Sequence, residues 1–200
     1  MKKGRLAITC LAGAYFLNAA WDPQRWRFLD GVNLLIHEAG HPVFAILGEF
    51  MGFAGGTLMQ LIIPAAFSFH FLREGKPFQA LLLLFWLGQS LLNVSVYAAD
   101  AQDMDLPLFG AGDRIHDWNW MLGTLGWLGA TPVIAGGFRL LGTGIILAAF
   151  LAGLYASGVP LTWTSPGASP HSQTPPRTMK TAQGRSTLGR HMSFRRKGKR

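Results

Sequence analysis

Three residues in the stretch DGVNLLIHEAGHPVFAILGEF, residues 30–50, have the types and spacing for hydrolytic metal chemistry: His37, Glu38 and His41. On a helix, residues i and i+4 share a face, so two neutral imidazoles there can grip one divalent cation. Glu38 sits one step round, where its carboxylate can take a proton from water activated by that cation. Asp30, Asn33, His37 and His41 recur at i, i+3, i+7 and i+11, one polar stripe along an otherwise apolar helix. The bland reading is that both histidines and Glu38 merely hydrogen-bond neighbouring helices. Pro42 follows His41, cannot donate to the Glu38 carbonyl and disfavours helical geometry at His41, so a kink is expected there.

A zinc site normally has three or four protein ligands. In the run FQALLLLFWLGQSLLNVSVYAA (78–99), Ser90, Asn93 and Tyr97 form a polar stripe that continues to Asp100. The following loop brings HDWNW, with His116 and Asp117. Asp100 and His116 are the two candidates for the third metal ligand. Asp117 has a structural role open to it, as N-cap of a helix beginning at WNWMLG. Thr57, Gln60, Pro64 and Ser68 also share a face, where Gln60 serves either to orient a ligand or, more commonly, to bond between helices. Gly48 and Gly52 fit a turn out of the His-containing segment, and Gly56 fits close helix packing.

The elements that must position these residues are apolar. Half of the 200 residues are hydrophobic and 14% are charged, below the ~25% of an ordinary soluble domain. Four apolar runs stand out, at 6–21, 51–72, 78–99 and 131–159. A spanning helix needs about 20 apolar residues. The first run is short and follows the basic start MKKGR; it fits a signal peptide or, better, an uncleaved anchor. The expected fold is therefore all-α, a polytopic membrane helix bundle with about four spans plus a short re-entrant or interfacial helix bearing His-Glu-x-x-His. Its membrane domain covers 1–159. Residues 160–200 are a basic tail, rich in Pro, Ser, Thr and Gly, expected to be disordered.

Charge supports that division. The formal +8 belongs to the tail, which holds nine Lys/Arg and no acid, while residues 1–159 carry nine basic and ten acidic residues. Basic residues collect on the cytoplasmic side of membrane proteins. The N-terminus, REGK (73–76) and the tail share one side if the four runs cross and residues 31–48 do not. Arg25 and Arg27, on the other side, run against this scheme. Specific nucleic-acid binding is not expected, since the tail beyond Trp163 holds one aromatic residue, Phe194, to stack on bases. Membrane lipids are the expected partners. Cys10 is the only cysteine, which excludes an intrachain disulfide and a cysteine zinc site.

With HEAGH beside several apolar spans, the chain resembles the site-2-protease-like integral membrane zinc metallopeptidases. It is closer still to small bacterial membrane proteins that look like a branch of that family. Those share the blocks LLIHEAGH, GEFMGFAGGTLMQLIIP, FWLGQSLLNVSVYAADA and IHDWNWMLG over about residues 28–130. The resemblance implies Zn2+ at His37 and His41, Glu38 as general base, a membrane-protein or peptide substrate, and a multi-pass place in the bacterial inner membrane. Site-2 proteases draw their third ligand from an Asn-Pro-Asp-Gly-like motif that this chain lacks, so the carry-over stops at residues 37, 38 and 41. The alternatives are a non-catalytic metal-binding membrane protein and a purely structural membrane subunit.

Overall fold

The computed structural model describes residues 2–106 and 115–159; the basic tail and most of the loop after Leu106 lie outside the described residues. The order is α1 (Lys3–Trp21), α2 (Phe28–Ala45), α3 (Glu49–Arg73), α4 (Pro77–Ala99), α5 (Asp117–Thr124), a 3-10 turn (Leu128–Ala130) and α6 (Thr131–Ala156). Among the described residues every regular element is a helix, as an all-α fold requires.

Local chemistry sets the helix ends. Pro77 opens α4 and Pro132 lies in the first turn of α6, where a missing N–H costs nothing. Gly48 holds φ at 111° between α2 and α3, a value other residues rarely adopt. Glu49 follows in the first turn of α3, favoured by the helix dipole.

Three segments are long and apolar enough to cross a membrane: Glu49–Arg73, Pro77–Ala99 and Leu128–Ala156. This is the composition of a membrane protein. The run at 6–21, counted above as a fourth span, is not among them. Past Lys3 and Arg5 its helix is about 24 Å long at ~1.5 Å per residue, short of the ~30 Å hydrocarbon core. Helix α1 still packs against α4 and α6. Its start meets the end of α6, where Lys2 N–H donates to Ser157 O at 3.0 Å.

Helix α2 lies against α3. Gly40 and Gly55 make this approach close, since a Cβ on either would run into the other's backbone. The helix passes through Pro42 to Ala45, so His41 stays helical instead of ending the element. Gly52 lies inside α3, not in the turn, and Gly56 packs under the His37 ring. The α3 stripe is glue: Gln60 Nε2 donates to Asn93 Oδ1 at 2.8 Å and to Ser90 O at 3.3 Å, and Ser68 Oγ donates to Ala80 O at 3.1 Å. All three are interhelical bonds, the commoner use.

Candidate metal centre

The buried stripe of α2 carries two kinds of polar neighbourhood. At its N-terminal end, Asp30 accepts from the Arg27 N–H at 2.7 Å, from Asn93 Nδ2 at 3.2 Å and from Gln89 Nε2. Asn33 is fully buried. It donates to Gln89 Oε1 at 2.8 Å and accepts from Trp86 Nε1 at 2.9 Å and Ser90 Oγ at 3.2 Å. Donors and acceptors match across α2, α3 and α4, as a buried polar network requires.

One turn further, the pattern changes. His37 Nε2 lies 3.0 Å from Asp117 Oδ2, and His41 Nε2 lies 3.5 Å from the same oxygen. One donor atom from each of His37, His41 and Asp117 falls within 4.8 Å of the others. The side chains of His37 and Asp117 are 8% and 9% exposed, that of His41 27%, so the cluster is dry on one side and reachable on the other. His41 Nδ1 sits 2.8 Å from the Gly52 carbonyl. A carbonyl only accepts, so Nδ1 carries a proton; in a neutral ring that leaves the lone pair on Nε2. Tyr97 fixes the carboxylate: its hydroxyl donates to Asp117 Oδ2 at 3.2 Å and accepts from the Asp117 N–H at 3.2 Å. Its ring lies edge-on to His37.

The residues expected as third ligand are elsewhere occupied. Asp100 accepts from Asp105 N–H at 2.9 Å and Leu106 N–H at 3.1 Å, which ties down the loop after α4. His116, not Asp117, caps α5: its Nδ1 accepts from Asn119 N–H at 3.2 Å. That spends the lone pair a metal would need and leaves the proton on Nε2, facing Asp100 Oδ2 at 3.3 Å. Burial pushes the His116 imidazole below the ordinary histidine range, against the pull of Asp100 and Asp117. The structure thus pairs Asp100 with His116, and Tyr97 stands with one neighbour on each side, His116 and His37. Asp117, at the first helical position of α5, is the carboxylate that reaches His37 and His41.

Beside the cluster lies a cleft of about 740 Å³, lined by Glu38, His41 and Asp117 together with Pro42, Ala45, Glu49, Phe53 and Ile115. The HExxH carboxylate and the two more accessible members of the cluster therefore share one wall with apolar surface. No family model, curated protein or solved structure matches the chain.

Proposed function

We propose that the chain is a membrane-embedded zinc metallopeptidase, with His37, His41 and Asp117 as metal ligands and Glu38 as general base. One observation carries the reading. The bond from His41 Nδ1–H to Gly52 O turns the Nε2 lone pair toward a carboxylate oxygen. Two acceptors facing each other repel unless a metal ion or a second ring proton stands between them. A ligating histidine that donates its other N–H to a backbone carbonyl is the usual support of such a site. The donor set also suits zinc, which takes imidazole nitrogen and carboxylate oxygen. Donors ~2.1 Å from a tetrahedral ion stand ~3.4 Å apart, close to the 3.0 and 3.5 Å separations at Asp117 Oδ2.

When bound, zinc supplies a Lewis acid that polarises a carbonyl and brings the pKa of water toward ~7. Glu38, on the cleft wall, takes up a proton at its carboxylate and delivers it to the departing amine. Tyr97 keeps the Asp117 carboxylate in one orientation. Pro42, Ala45, Phe53 and Ile115 offer apolar surface to the side chains of a membrane-embedded or membrane-adjacent peptide. Ligand type agrees with the site-2-protease resemblance, but Asp117 comes from a short helix and outside that family's third-ligand motif.

The topology belongs to the same proposal. Helix α1 is the fourth crossing, its short apolar part completed by Lys3 and Arg5 reaching up to the headgroups; α2 is re-entrant, and α2 and α5 open to the side opposite the N-terminus, in the inner membrane of a bacterium. Basic residues at Lys2, Lys3, Arg5, Arg73 and Lys76 fit the cytoplasmic side. A periplasm-active reporter fused after Lys76 should stay silent.

The deciding experiment compares wild type with Glu38→Gln for zinc content and for cleavage of membrane peptides. Both should hold one zinc, and only wild type should hydrolyse. Equal inertness with metal bound leaves a non-catalytic metal-binding protein. Wild type empty in the presence of zinc removes the centre altogether.

A further inference from the structure

A second cavity, of about 480 Å³, lies between the α1–α2 connection, the end of α4 and the first half of α6. Its polar lining is Asp22, Gln24, Ser95 and Arg139. Ser95 is already spent on the Leu92 carbonyl, at 2.6 Å. Arg139 makes no hydrogen bond or ion pair with any described residue, although it stands within a helix fit to cross a membrane. An arginine on such a helix is costly unless its head reaches a partner, a site or the membrane surface.

Position says what kind of partner. Arg139 is eight residues into α6, about 12 Å from the helix start at ~1.5 Å per residue. Helix side chains lean toward the N-terminus, so the guanidinium is directed to the membrane surface where α6 begins. Exposed Trp21, Trp26 and Trp127 mark that end of the bundle, in the manner of an interfacial aromatic belt. The cavity is thus placed toward the headgroups, beside exposed Val133. It presents one fork-shaped cation suited to phosphate and one carboxylate suited to an ammonium. A purely anionic group would meet Asp22, and a purely cationic one would meet Arg139.

We propose that this cavity binds a phosphoethanolamine zwitterion, its phosphate on Arg139 and its primary ammonium on Asp22, delivered as the headgroup of a membrane lipid. The site is separate from the metal centre and shares no lining residue with its cleft.

Full-length protein is reconstituted in vesicles of equal parts phosphatidylethanolamine, phosphatidylcholine and phosphatidylglycerol. It is then extracted, and retained lipids are counted by native mass spectrometry. Wild type should keep phosphatidylethanolamine about tenfold over the other two, the scale of one charge-assisted hydrogen bond. Arg139→Gln should bring all three to the vesicle ratio. Asp22→Asn should keep lipid but lose the preference for the primary amine. Removing a charge that no described residue pairs does not threaten the fold; should Arg139→Gln still fail to fold, the surface change Asp22→Asn carries the test. Enrichment that survives Arg139→Gln, or equal retention of phosphatidylglycerol by wild type, overturns the proposal. Soluble glycerophosphoethanolamine should not displace the lipid at equal concentration, and displacement would overturn the lipid source.

Discussion

Asp30 and Asn33 lie on the same stripe of α2 as His37 and His41, about one to three turns away, and the two pairs sit in opposite chemical worlds. Around Asp30 and Asn33, amides and hydroxyls from α4 give a donor for each acceptor they meet. Around His37 and His41 the convergent atoms are two imidazole nitrogens and a carboxylate, with the Nδ1 proton of His41 drawn off by Gly52. Burial is similar for Asp30, Asn33 and His37. What separates them is the balance of donors to acceptors: a closed balance holds helices together, and in the proposed reading the surplus of acceptors is where a cation would sit. The comparison holds only if the two regions fail differently.

The largest effect is expected at the surplus. His37→Ala or Asp117→Asn should lower zinc affinity at least about 100-fold, since each removes a ligand outright. Melting of the metal-free protein should move little in Asp117→Asn. The matched change in the other region is Gln89→Leu. It strands the Asn33 amide and takes from Asp30 one of its three donors, Arg27 N–H and Asn93 Nδ2 remaining, at about 1–3 kcal/mol for the buried amide left unsatisfied. Denaturant unfolding in micelles should show that loss, while the folded fraction still binds one zinc. Zinc lost together with stability in Gln89→Leu would merge the two regions into one unit and end the distinction.

Next in size is Gly56→Ala. A Cβ there would come within 2.5 Å of His37 Nε2. Alanine is the better helix former by ~1 kcal/mol, so α3 gains propensity while the His37 ring is pushed off its place. Zinc affinity should fall about tenfold or more, on the scale of losing a supporting contact, with α-helical circular dichroism unchanged. Tyr97→Phe should cost about tenfold as well, because Asp117 loses the hydroxyl that fixes both its carboxylate and its N–H. Unchanged affinity in Tyr97→Phe would mean that α5 alone orients the carboxylate.

Much of this was open to reading along the chain, and the exceptions have physical causes. Period and composition disclose α3, α4 and α6, because a long apolar run has few other uses. Spacing discloses His37 and His41, because i and i+4 must share a face. The carboxylate proposed as third ligand is hidden by a shift of one residue. An aspartate just before a helix is ordinarily its cap, yet here His116 takes that role and Asp117 becomes the first helical residue. Nothing in HDWNW announces which of two adjacent polar residues will cap, since both can accept from the N–H three positions on. Gly52 misleads similarly. Its value lies in the carbonyl it offers His41 rather than in its backbone freedom, and any residue type has a carbonyl.

The smallest expected effect is the one that separates the two aspartates. Asp100 was as good a third ligand as any by position, at the end of a polar stripe on α4. In the fold its oxygens hold the Asp105 and Leu106 N–H groups and face His116. Asp100→Asn keeps one acceptor oxygen and the shape of the side chain, so the loop should loosen by about 1 kcal/mol, the net worth of one hydrogen bond. Zinc content and affinity should stay within about twofold of wild type, because Tyr97 rather than Asp100 touches Asp117. The same measurement on Asp117→Asn should read near zero zinc. If the two variants exchange results, the metal lies on the far side of the Tyr97 ring, and Asp117 is then an ordinary buried partner of two protonated histidines.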